Sequence, residues 1–116
     1  VRPHFGKSLA LLATGDHVAS AMSLIRALEL DAGYVTQKRD LVESLGGPDL
    51  FVRQISRLQD LVEEGASPQL QLLLAYVYFQ MDQTHEAIAA IEAVRAALPS
   101  SRAAASLQRA IQGSGR

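Results

Sequence analysis

The chain has 116 residues and a formal net charge of −1 at pH 7, with both signs interspersed, so it offers no basic stripe to a nucleic acid. That length allows at most one ordinary domain, apolar residues at 48% with Leu and Ala dominant read as mostly helical, and the absence of cysteine excludes disulfides and thiolate metal sites. The longest apolar run, Leu72 to Phe79, is far shorter than the ~20 residues that cross a bilayer, so direct membrane insertion is not expected.

Seven helical segments are expected in chain order. The first covers about 4–14 and stops at Gly15, where a left-handed backbone is easy. The second covers about 17–30, with Asp16 as its N-cap and Val18, Ala21, Ile25 and Leu28 recurring at helical spacing. The third covers about 34–45, with Leu41, Val42 and Leu45 inward, and ends at Gly46-Gly47-Pro48. The fourth follows Asp49, carries Phe51, Ile55, Leu58 and Val62 on one face, and ends at Gly65.

Ser67-Pro68 opens the fifth segment as an N-cap followed by proline at the first helical position. Thr84 is expected to cap the sixth, whose stripe is Ala87, Ile91, Val94 and Leu98 before Pro99 stops it. Ser100 or Ser101 starts the seventh, with Ala104, Leu107 and Ile111 on one face and Gly113 as its end. No segment alternates apolar and polar residues long enough for a strand. The connections are short, so successive helices are expected to pack antiparallel.

Leu74-Ala75-x-x-Tyr78, followed by Ala87, Ile91 and Pro99, resembles the tetratricopeptide (TPR) repeat, a helix–turn–helix unit of roughly 34 residues. The pattern recurs. Gly15 maps to Asp82, Leu24 to Ile91 and Ala27 to Val94 at one constant spacing, that of two such repeats. A degenerate middle copy fits Val42, Leu45, Leu58 and Leu61, although Gln54 stands where the family prefers a small residue and Asp49 stands at the usual turn glycine. The resemblance implies an all-α, TPR-like α-solenoid of three helical hairpins plus a C-terminal capping helix. A single domain would then cover 1–116, with repeats at about 1–34, 35–67 and 68–100 and the cap at about 101–112. Ala75 and Ala87, with Ser8 and Ser20 as counterparts in the first repeat, would sit at close helix contacts, and Leu74, Tyr78 and Ile91 would fill the space around them.

In that family the first helix of each repeat lines a concave, peptide-binding groove. Carried onto this chain, the groove positions are Phe5, Leu9 and Leu12, then Thr36, Arg39 and Glu43, then Gln69, Leu72, Tyr76, Phe79 and Gln80. Leu72, Tyr76 and Phe79 share one helix face, distinct from the Leu74–Tyr78 face. An apolar wall beside one arginine and one glutamate suits a short peptide of mixed character. The family's basic clamp for C-terminal carboxylates is not apparent, because Arg39 is the one clear cation on this face. On the competing reading, Leu72 and Phe79 are buried by neighbouring repeats, by further parts of the protein or by a second copy.

Motifs that carry chemistry are incomplete. Gly6-Lys7-Ser8 ends like a phosphate-binding loop, but Val1 stands where its first glycine belongs. His85-Glu86 begins like a zinc motif, but Ala89 replaces the second histidine. His17 and His85 read as surface residues, and His4 has no ligand partner at helical spacing. Glu63-Glu64 reads as a solvated helix-end pair, and no ordered nucleophile–base set is visible.

The expectation is therefore a non-enzymatic module, without cofactor, that binds a protein or peptide. The alternative is a structural or self-association module of a larger multidomain protein. Arg greatly outnumbers Lys and Asn is absent, a usage suggestive of GC-rich bacterial coding. The start at Val1, with Arg2-Pro3 leading straight into the first repeat, reads as a segment of a longer protein. The cytoplasm is the default compartment, with an exported or membrane-anchored parent left open.

Overall fold

In the computed structural model, residues 12, 15–30, 43, 45–65 and 67–114 are described, and every regular element among them is helical. The helices are α1 (His17–Leu30), α2 (Pro48–Glu63), α3 (Pro68–Gln80), α4 (Thr84–Ala97) and α5 (Arg102–Ser114). They correspond to the second, fourth, fifth, sixth and seventh expected segments. The first and third segments lie outside the described residues, apart from helical Leu12 and Glu43 and the buried turn residue Leu45.

Local chemistry sets the ends of these helices. The Asp16 carboxylate accepts the Ala19 amide at 3.2 Å, and the Ser101 hydroxyl accepts the Ala104 amide at 3.1 Å, each satisfying an orphan donor of the first turn. Pro48 and Pro68 occupy first-turn positions, where a missing N–H costs nothing. Asp49 consequently lies inside the first turn of α2 rather than ahead of it. Thr84 is likewise the first residue of α4 instead of its cap, with Gln83 preceding it. Gly113 does not end α5, which runs on to Ser114.

The turn from α3 to α4 is a Schellman closure. Gln83 N–H donates to Tyr78 O at 2.9 Å and Asp82 N–H to Phe79 O at 3.2 Å, with Asp82 at φ 60°. A positive φ also occurs at Gly15, ahead of α1, and at Gly46 and Gly47, ahead of α2. The turn ahead of α2 thus sits at the glycine pair, where the sequence places it.

Packing is centred on α3. Every residue from Leu72 to Val77 is buried, on all sides of the helix, as expected for a helix apolar all round. α1, α2, α4 and α5 all pack against it, α4 most extensively. Ala75 and Ala87 are both fully buried, consistent with a close α3–α4 approach. Tyr78 is only half-buried, and its hydroxyl accepts a hydrogen bond from Gln59 Nε2 of α2 at 3.1 Å. α5 buries Ala103, Ala104, Leu107 and Ile111.

The expected open solenoid is not what the helices form. In a solenoid each repeat touches only its neighbours. Here α1, from the first expected hairpin, packs directly on α3 and on the C-terminal α5. The chain therefore closes into a globule with a Cα radius of gyration of 12.6 Å, close to the about 13 Å of a compact domain of this size. α5 does cover α4 as expected, but it covers α1 as well.

Candidate functional site

Closure decides the fate of the expected groove. Leu72 (0% exposed), Tyr76 (1%) and Phe79 (4%) are buried, together with Gln80 and Leu12. The helices surrounding α3 fill the face that an open stack would leave to a ligand, so Tyr76 belongs to the core and not to a wall beside it. Gln69 is half-buried and Glu43 is exposed. Phe5, Leu9, Thr36 and Arg39 lie outside the described residues. The described part of the expected groove set thus does not form an open apolar wall.

Among the described residues an open concavity lies elsewhere, between the start of α1 and the outer side of α2. It is a cleft of about 520 Å³ lined by Gly15, Asp16, His17, Val18, Arg53, Gln54, Arg57 and Leu61. Its geometry begins at Gly15, whose φ of 86° turns the chain into α1. A Cβ on Gly15 would meet the Gln54 side chain at 3.4 Å, an ordinary van der Waals contact, so it is the positive φ and not space that favours glycine here. His17, the first residue of α1, is 6% exposed. Its Nε2 lies 3.3 Å from Gln54 O and, facing a carbonyl, is the donor. This docking buries a histidine that the sequence reading placed on the surface.

On the α2 side, Arg53 and Arg57 stand one turn apart on the same face. Arg57 reaches Glu64 only at 4.0 Å, with both side chains more than half exposed. Such a pair contributes little. Val18, expected in the apolar stripe of α1, is instead 63% exposed in the cleft, and Met22 follows one turn on at 55%. The remaining exposed large apolar residues among those described are Val52, on α2, and Ile88, on α4.

The sequence held one signal for this cleft. Gln54 departs from the small residue of the repeat pattern, and it is Gln54 that meets the turn into α1. Arg53, Arg57 and Val18 carried no such signal, because isolated arginines and one valine in a helical stripe are ordinary.

A smaller recess of about 280 Å³ between the end of α1 and α5 is lined by Leu28, Glu29, Arg102, Ala105, Ser106 and Arg109. Among the described residues no group of three His, Asp or Glu side chains is arranged to hold a metal ion, and no helix is long and apolar enough to cross a membrane. His85 is exposed, as are Glu63 and Glu64. His4 and the Gly6-Lys7-Ser8 tripeptide lie outside the described residues. Comparison with protein-family models, curated proteins and solved structures returns no match.

Proposed function

We propose that the chain is a TPR-like, helical-hairpin interaction module, non-enzymatic and without a cofactor, that binds a protein or peptide segment. The cleft between α1 and α2 carries this reading. It is open, and it combines exposed apolar and cationic side chains on rigid helices, the mixture that peptide recognition uses. Three further features support the TPR-like part. Positive φ recurs at Gly15, Gly46-Gly47 and Asp82, ahead of successive second helices, and also at Gly65, ahead of α3. The small residues Ser20, Ala75 and Ala87 are fully buried. The last helix covers its predecessor. In this reading the hairpins have closed into a globule, and recognition has moved from the concave side to the outer side of α1 and α2.

The exposure of Val18, Met22 and Val52 favours a second reading, a self-association or docking module of a larger bacterial protein. One pair of measurements separates the two. A displayed library of random peptides is selected on the full chain, and the solution mass is followed across a dilution series. A saturable peptide consensus at constant monomer mass is expected. No enrichment, with a mass that rises with concentration, would replace the peptide reading by self-association.

A further inference from the structure

We infer that the α1–α2 cleft docks an acidic segment of a partner protein, whose side-chain carboxylates meet Arg53 and Arg57 while an adjacent apolar side chain rests on Val18 and Leu61. This rests on the interaction-module reading and adds the chemistry of the partner. The lining holds two guanidiniums against one carboxylate, Asp16, so it is cationic on a chain whose net charge is −1. One Asp16 oxygen already accepts the Ala19 amide, which ties that carboxylate to the helix start. Arg53 and Arg57 lie at i and i+4, a spacing at which one acidic stretch reaches both. The competing intramolecular partner of Arg57 is Glu64 at 4.0 Å with both groups largely solvated, so an incoming carboxylate replaces it at little cost.

The apolar half of the site selects the kind of ligand. Val18 is 63% exposed in the cleft, and Met22 extends the same strip along α1. A free inorganic anion would use the guanidiniums and leave that strip in water. A peptide carrying an acidic residue beside an apolar one uses both. His17 and Gln54, bonded to each other at the back of the cleft, hold its two walls together. Arg53 and Arg57 stand one turn apart on one helix face, so two side-chain carboxylates of the segment can each meet one of them.

The test selects a displayed random peptide library on the full chain and, in parallel, on the double variant Arg53→Glu/Arg57→Glu. Both positions are exposed, so the variant should fold, and matching thermal melts check this. The expected consensus on the parent chain pairs Asp or Glu with an apolar residue. A synthetic consensus peptide with an amidated C-terminus should bind the double variant at least roughly tenfold more weakly. Its affinity for the parent should fall with added salt, and its binding should shift the amides of residues 15–18 and 53–61. Selection on the variant should turn toward basic peptides. A neutral or basic consensus on the parent, equal affinity for the variant, or amide shifts confined to other residues would overturn the inference while leaving the module reading intact. No consensus at all would overturn both. Inorganic phosphate competing as well as the peptide would assign the cleft to a small anion.

Discussion

Helices α2 and α3 are adjacent in the chain and packed together, yet they are built on opposite plans. α3 buries side chains all round its axis, whereas α2 buries only Ile55 and Leu58 and leaves Val52, Arg53 and Arg57 in solvent. The comparison teaches that the longest apolar stretch of this chain is its axle and not its binding face. A helix apolar on every side has no face left for a ligand once its neighbours close around it. A helix with a narrow stripe has most of its surface available for recognition.

The largest expected effect comes from removing part of what closes around α3. Deleting residues 101–116 removes the buried Ala103, Ala104, Leu107 and Ile111 and uncovers α1 and α4. Leu107 and Ile111 alone are of the kind that contributes about 2–5 kcal/mol each by truncation. The loss therefore approaches the ~5–15 kcal/mol total of a small domain. Urea titration followed by circular dichroism should show no cooperative transition, or one far below the parent midpoint. A truncated chain that unfolds like the parent would mean that the centre of the core is sealed without α5.

Next in size is the axle itself. Tyr76→Ala should cost about 3–5 kcal/mol, in the range of large aromatic truncations, because Tyr76 is 1% exposed. Val52→Ala on α2, at 61% exposed, should stay within about 0.5 kcal/mol. Chemical denaturation of both variants gives the contrast directly. Similar small losses in the two would return Tyr76 to a solvent-open face and revive the groove on α3.

A smaller effect probes the seam between α3 and α4. Ala87 is fully buried opposite the helix that holds Ala75. Ala87→Leu should cost about 1–3 kcal/mol through overpacking. An unchanged denaturation midpoint would show that the seam has room, and that the small residues are not a packing device.

The legible part of this architecture was the part encoded locally. The limits of α1, the Asp16 cap, the Ser67-Pro68 start and the stripe Phe51–Ile55–Leu58–Val62 follow from the chemistry of one segment at a time. The stripe Ala104–Leu107–Ile111 announced that α5 buries a face, but a stripe does not name its partner, so the contact of α5 with α1 could not be read from it. The run Leu72–Phe79 did carry the information that α3 is central. It was outweighed by the repeat pattern, which assigns part of that run to a groove. Val18 fell at the right helical spacing to be buried and is not, because α1 turns its first residues toward α2 through His17 and Gln54. Such a contact between residues far apart in sequence leaves no periodic trace. The cleft arises from it, and so only Gln54, the residue out of pattern, pointed there.

The smallest effect separates helices held by their ends from a helix held by its surroundings. Ser67 and Ser101 both precede helices and look alike in sequence. The Ser101 hydroxyl accepts the Ala104 amide at 3.1 Å. The Ser67 side chain makes no cap bond, and it is the Ser67 carbonyl that accepts the Leu70 and Gln71 amides. A backbone carbonyl survives substitution by alanine. Ser101→Ala should therefore cost about 1 kcal/mol. Ser67→Ala should change stability by no more than a few tenths, about the scale of a neutral surface substitution. Paired denaturation midpoints read the difference. Equal losses at the two serines would mean that α3 depends on its terminus as much as α5 does. The contrast between a buried axle and a capped peripheral helix would then fail at the residue where it is easiest to measure.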